Sequence, residues 1–324
     1  MSEPRTLEEV KNDIRSRVGH RAPFLHADKT DAEEALAHGA ELTVVARERS
    51  ATEAHRGPEG VVRRLAEVGR EALERHGAVG TVGVGVPGVF HEDTGRAVLL
   101  PNLPGDWDGV PVRDPLAAAL GHPVAMVNDA RAFSLAESLL GAARGLGTVV
   151  CLVLGTGVGG GIVVDGRLLR GTGGAGEIGH QTVLFGGPPC GCGNAGCAEA
   201  LTRADVFARL GGRATAEEVY AAARGGDATA RAAVEHVAKW LGVALANAYV
   251  LLAPDAFVVG GGIAAAGELL LRPLEAAARR QVFIVPPERI RVLPAALGPY
   301  AGAIGAALFG REAEGETLKT ASMA

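Results

Sequence analysis

Three of the four cysteines in this 324-residue chain fall between positions 190 and 197, and that cluster limits what the surrounding segment can become. Cys190, Cys192 and Cys197 sit in Cys-Gly-Cys-Gly-Asn-Ala-Gly-Cys, and His180 precedes the first of them by ten positions. One imidazole and three thiolates form a common closed tetrahedral set for structural Zn2+. Glycines 191, 193 and 196 let the backbone turn tightly enough for the sulfurs to converge. With four protein ligands no position remains for an activated water, so a metal here is structural. Unligated thiols, or a redox pair in Cys-x-Cys, are the competing readings. Four soft ligands in so short a stretch favour the metal. Cys151 stands apart in an apolar run and reads as a buried, inert thiol.

The rest of the chain excludes several classes. A net charge of −5 without a basic block gives no electrostatic reason to seek nucleic acid. The polar start, Met1-Ser2-Glu3-Pro4-Arg5, is not a secretory signal. No apolar run reaches the roughly 20 residues of a membrane span, so a cytoplasmic chain without membrane partners is expected. A reducing compartment also suits metal binding better than disulfides.

Strands and helices alternate along the sequence. Leu7, Val10, Ile14 and Val18 predict a helix over 6–18, with Thr6 and Glu9 as a capping box. Residues 41–48 read as a strand, 58–75 as an amphipathic helix closed by Gly77, and 79–86 as a second strand. Strands follow at 123–127, 148–154, 160–164, 167–169, 256–259 and 290–293, with a long helix across 227–252 and a small-residue helix at 301–309. Two batches of this pattern imply two similar α/β lobes with a cleft between them. The expected division is an atypical segment 1–40, a small lobe 41–122 plus 298–310, a large lobe 123–297 with a zinc-binding insertion at 176–199, and a flexible tail 311–324.

Three features sit where such folds place ligands, at the carboxyl ends of strands. The loop Leu154-Gly-Thr-Gly-Val-Gly-Gly-Gly161 offers backbone N–H groups and the Thr156 hydroxyl to a phosphate, although glycines also simply make hairpins. Val258-Val-Gly-Gly-Gly-Ile263 permits flat approach of a nucleotide, or is a plain strand–helix turn. Asp129 ends an apolar strand, where a carboxylate either accepts the proton of an attacking hydroxyl or caps the next helix.

Taken together, Asn128-Asp129-Ala130, the loop 154–161, Gly176-Glu-Ile-Gly-His180, Cys190-Gly-Cys-Gly-x-x-Gly-Cys-x-Glu199 and Asp255-Ala-Phe-Val-Val-Gly-Gly-Gly262 resemble the ROK family of bacterial sugar kinases, open reading frames and repressors over residues 41–310. The resemblance implies a two-lobed α/β fold of the actin-like ATPase, ribonuclease H-like kind. It implies ATP-dependent, Mg2+-assisted phosphorylation of a hexose, with glucose the default and mannose or an N-acetylhexosamine the alternatives. Carried over by position, Asp129 is the catalytic base. Gly88, Asn102, Asn128, Glu177, His180 and Glu199 hold the sugar, with His180 serving the metal as well. Thr156 and Gly157 face the phosphates, and Gly261 and Gly262 the adenosine. A homodimer or homotetramer is expected on the same ground.

The pattern breaks in two places. Such relatives carry an Asp-x-Gly-Gly-Thr phosphate loop after their first strand. The nearest stretch here is Asp28-Lys29-Thr30-Asp31-Ala32-Glu33, without a glycine. Arg131 stands where many relatives carry Asn. A sugar-binding relative that has lost phosphoryl transfer is therefore the alternative function. A DNA-binding repressor is disfavoured, because about 40 residues ahead of the first lobe are too few for a helix-turn-helix domain plus a strand.

Overall fold

A computed structural model describes residues 21–27, 31–38, 43–77, 80–100 and 103–313. The chain opens with strands β1 (Arg21–Ala27), β2 (Asp31–His38) and β3 (Thr43–Ala51), then helix α1 (Gly57–His76), β4 (Val82–Val86) and a small hairpin of β5 (Val89–His91) and β6 (Arg96–Leu99). Helix α2 (Arg113–Leu120), β7 (Val124–Asn128) and α3 (Asp129–Leu139) follow. A second run begins with β8 (Thr148–Leu154), β9 (Val158–Val164) and β10 (Arg167–Leu168). After the cysteine-rich segment come α4 (Ala198–Thr202), α5 (Ala204–Leu210), α6 (Ala216–Arg224), α7 (Ala228–Leu252), β11 (Ala256–Gly260), α8 (Glu268–Arg279), β12 (Val292–Pro294) and α9 (Ala301–Ala313).

The chain divides into two compact units. One is built on residues up to Asp129 with α9 from Ala306 onward, the other on Ala130–Gly305. Each unit holds a five-stranded sheet of the same plan. The first runs β3-β2-β1-β4-β7 and the second β10-β9-β8-β11-β12. In both, an antiparallel three-strand meander is continued by two parallel strands, and a helix follows the last strand. This is the α/β plan expected from the sequence.

Each sheet is held by apolar faces whose spacing is local. In the first unit Val82, Val84 and Val86 pack with Leu65 and Val68 of α1 and with Leu116 of α2. In the second, Val150 and Leu152 of β8 and Phe257 and Val259 of β11 pack under Leu241 and Leu245 of α7 and Leu270 and Leu274 of α8. Asp227 starts α7 by accepting from the Ala230 N–H at 2.8 Å, a side-chain cap that satisfies one of the helix's orphan donors.

Several sequence expectations shift. Residues within the segment 1–40 form β1 and β2, and β1 is the central strand of its sheet. Its parallel pairing, Phe24 with Gly83 and His26 with Gly85, is a long-range contact that Arg-Ala-Pro-Phe-Leu-His-Ala does not advertise. β7 joins the first sheet beside β4 rather than opening the second lobe at 123, because the pairing partner decides membership. Residues 298–305 likewise belong to the second unit, and only Ala306 onward to the first. The predicted helix over 6–18, the loop Asp28–Thr30, Asn102 and the tail beyond 313 lie outside the described residues.

One buried carboxylate organises the second unit. Glu137 of α3 is fully buried, and its oxygens accept from the backbone N–H groups of Ala142, Ala296 and Leu297 at 2.9 to 3.0 Å. The segment between β12 and α9 is thus tied to α3. Glu137→Gln turns a donor toward these N–H groups. It is expected to lower stability by about 3 kcal/mol, the scale of hydrogen bonds to a charged partner, as read from urea unfolding midpoints.

Candidate functional site

The cysteine-rich segment folds back on itself through bridges pairing Thr182 with Cys197 and Pro189 with Ala195. Gly196 makes this possible: its φ is +73°, and a Cβ there would stand 1.7 Å from the Leu184 carbonyl oxygen. The result brings one ligand atom each from His180, Cys190, Cys192 and Cys197 within 4.8 Å of one another. Cys190 Sγ lies 3.7 Å from His180 Nδ1, and the sulfurs of Cys192 and Cys197 are 3.8 Å apart. Zinc–sulfur bonds of about 2.3 Å in a tetrahedron set sulfur–sulfur edges of about 3.8 Å, so the donor set fits a closed zinc site. Since Nδ1 faces the cluster, Nε2 of His180 is the ring nitrogen left for another partner.

Burial and crowding disfavour thiolate charge at two of the three sulfurs. Burial, followed by the neighbouring thiols, pushes Cys197 up to about 12, and burial also raises Cys190. A backbone hydrogen bond from Asn194 lowers Cys192. Metal binding must displace the thiol protons, so affinity weakens as pH falls.

Glu199, on the first turn of α4, stands against the cluster. Its Oε1 lies 3.6 Å from Cys190 Sγ, and its Oε2 accepts from the Val158 N–H at 2.9 Å. That contact pins the turn Gly155–Gly157. Gly157 has no room for a side chain, because a Cβ there would come within 2.6 Å of Glu199 Oε2. Thr156 at the tip is exposed. The second glycine loop lies beside the first, since β8 and β11 are parallel neighbours with Gly260 opposite Val153. Gly261, at φ +89°, passes so close to β8 that a Cβ would be 2.3 Å from the Leu154 carbonyl oxygen. Gly262 is exposed next to it. Two loops that are each ambiguous in sequence therefore form one glycine-lined surface beside Glu199. Asp255, part of the same motif, has a structural duty: Oδ2 accepts from the Gly147 and Thr148 N–H groups at 2.9 Å, fixing the start of β8.

Glu177 ends the glycine-rich run 171–176 and opens the short turn that carries His180. Its Oε1 pairs with Nη2 of Arg131 at 3.1 Å. In the first unit, Asn128 donates from Nδ2 to the Gly88 carbonyl at 3.1 Å, and half-buried Asp129 stands where β7 gives way to α3. In the sequence Arg131 is visible only as a departure from the family pattern.

The model of the ROK family matches residues 29–313. This chain belongs to the ROK family. Among ROK relatives, a glucokinase from Thermotoga maritima is 37% identical over 279 residues, covering 79% of this chain and 86% of the relative. The crystal structure of a ROK hexokinase from Thermus thermophilus superposes with a TM-score of 0.81 at 34% identity, covering 91% of this chain and 100% of that one. A ROK glucokinase from Streptomyces griseus, solved in complex with glucose and AMPPNP, gives 0.76 at 30% identity, covering 90% of this chain and 99% of that one. The fold is thus the ROK fold of actin-like ATPases, and the protein is glucokinase-like. Among the described residues, no helix is long and apolar enough to cross a membrane.

For the metal, about one equivalent of zinc per chain is expected from elemental analysis of this ROK protein. Cys192→Ser should lose it together with much of the fold's stability, since structural zinc in small motifs contributes roughly 10 kcal/mol or more. An equally stable, metal-free wild-type protein would exclude the zinc reading.

Proposed function

We propose that this chain is a sugar kinase that transfers the γ-phosphoryl group of Mg2+-bound ATP to a hydroxyl of a hexose, with glucose the first candidate and mannose or an N-acetylhexosamine next. The observation that carries this reading is the Glu199 carboxylate, which joins the His180 and cysteine cluster to the Thr156 and Gly157 turn. A group suited to a sugar hydroxyl and a turn suited to phosphate are held by the same side chain. The glucokinase names of similar proteins, and the glucose and AMPPNP held by one of them, support the same reading.

The roles follow from chemistry. Asn128, Glu177, His180 and Glu199 hold the sugar, because carboxylates, an amide and an imidazole Nε2 suit a ring of hydroxyls. A metal-bound thiolate has no proton to donate, so Oε1 of Glu199 is left to accept from the substrate while Oε2 keeps Val158. The zinc supplies no chemistry; it fixes the wall on which His180 stands. Gly88, whose carbonyl orients Asn128, belongs to the sugar side, and Asn102 is assigned to it from the family resemblance alone. Thr156 and Gly157 donate to the phosphates, and Gly261 and Gly262 lie flat against the adenosine. Asp129 accepts the proton as the hydroxyl oxygen bonds to phosphorus and the bond to ADP breaks. Positioning and charge neutralisation do most of the work in such a transfer.

One observation favours a second reading, a sugar binder without turnover. Asp28-Lys29-Thr30, between β1 and β2, has no glycine to bring backbone close to phosphate. A coupled assay of ADP release over glucose, mannose, N-acetylglucosamine and N-acetylmannosamine separates the two. A working kinase should turn over at least one sugar, and Asp129→Ala should cut kcat by about 100- to 10,000-fold, the usual worth of a positioned base. Wild-type turnover no greater than that of Asp129→Ala, with sugar binding still detected by calorimetry, would establish the binder instead.

A further inference from the structure

The backbone on both sides of Glu177 is fixed by contacts that only glycine permits. A Cβ on Gly176 would stand 2.7 Å from the Cα of Gly161, and one on Gly179 would stand 1.9 Å from the Val158 carbonyl oxygen. Both press the Glu177 turn onto β9. Gly161 in turn lies under α3, where a Cβ would meet the Ser134 hydroxyl at 2.5 Å and the Arg131 Cα at 3.2 Å. The missing side chain at 161 therefore lets the Glu177 turn and the first turn of α3 close on the same strand. None of this orients the Glu177 side chain, which is 40% exposed. The guanidinium of Arg131, only 11% exposed and rooted in a helix, reaches Oε1 and does so.

We propose that Arg131 is a positioning residue that fixes the Glu177 carboxylate for sugar binding, a reading that rests on the sugar-holding role proposed for Glu177. Arg131 does not touch the substrate. It occupies Oε1 of Glu177, leaves Oε2 as the acceptor for a sugar hydroxyl, and balances the carboxylate's charge. A half-exposed glutamate loses much side-chain freedom when it holds a ligand, and a partner that orders it beforehand removes that cost from binding. The charge-assisted pair is also directional, so it selects the hydroxyl geometry that Glu177 can accept. The expected signature is on sugar affinity rather than on the chemical step, because the residue that the pair orients is one proposed to hold the sugar, not the one proposed to take the proton.

The test uses the full-length protein and whichever of the four assayed hexoses the wild-type chain binds most tightly. KM, kcat and calorimetric affinity are measured for Arg131→Met, Arg131→Lys, Glu177→Gln and the double variant Arg131→Met/Glu177→Gln. Arg131→Met should raise KM and the dissociation constant about ten-fold, the scale of one charge-assisted hydrogen bond, with kcat within about two-fold and KM for ATP unchanged. Arg131→Lys should recover part of the loss. In the Glu177→Gln background, Arg131→Met should add nothing. Undiminished affinity in Arg131→Met, or the same ten-fold loss with and without Glu177, overturns the positioning role while leaving Glu177 as a sugar ligand. If Glu177→Gln alone leaves sugar affinity unchanged, the role of Glu177 itself falls, and the proposal with it. Should Arg131→Met not fold, Arg131→Lys carries the comparison in both backgrounds. A loss of affinity confined to the chain that keeps Glu177 supports the proposal, and no loss, or an equal loss beside Glu177→Gln, decides against it.

Discussion

The carboxylate of Glu199 is the joint on which the second unit's functional surface turns. One oxygen takes the Val158 N–H and the other lies against Cys190. The segment carrying the four candidate ligands and the glycine turn each have backbone hydrogen bonds of their own, and Glu199 ties one to the other. Ordering a loop costs conformational entropy, and a shared carboxylate holds two of them in one arrangement. Because Glu199 is two residues beyond Cys197, one short segment carries both a member of the His180 and cysteine cluster and the contact to the turn. Even the glycine at 157 is explained by this joint, since any side chain there would displace the carboxylate.

Close backbone approach is the second organising requirement. Gly261 lets β11 emerge against Leu154 of β8, and Gly161 lets α3 and the turn carrying Glu177 meet over β9. At these points the absence of a Cβ is what the fold requires. Elsewhere the same unit uses a charge in place of a glycine. Glu137, without exposure to solvent, gathers backbone donors from two separate segments and holds α3 against the connection to α9. Buried polar groups of this kind are tolerated because they are fully satisfied.

Both units repeat one sheet plan, yet they announce it differently. β8, with Thr-Val-Val-Cys-Leu-Val-Leu, and β11, with Ala-Phe-Val-Val-Gly, are apolar enough to read as buried strands from composition alone. Their counterpart β1 carries Pro23 and His26, and β2 is Asp-Ala-Glu-Glu-Ala-Leu-Ala-His, a composition that favours helix. There the sheet overrides local preference, and a reading by propensity misses both strands. The cysteine cluster is legible in the chain because metal chemistry restricts residue type and spacing together. Arg131 is not, because its meaning lies in Glu177, 46 positions away.

Residue order alone suffices for the donor set His180, Cys190, Cys192 and Cys197, for the apolar strands of the second sheet, and for the glycines at which backbone has to bend. Those are local properties: ligand chemistry, alternation of burial, and freedom at φ. Folding in three dimensions adds that β7 belongs with β4, that the two glycine loops lie side by side, and that Glu199 and Arg131 each hold something beyond their own segment. Such choices depend on which partner the folded chain brings within hydrogen-bond reach, and a hydrogen bond a few ångströms long leaves no trace in the spacing of residues along the chain.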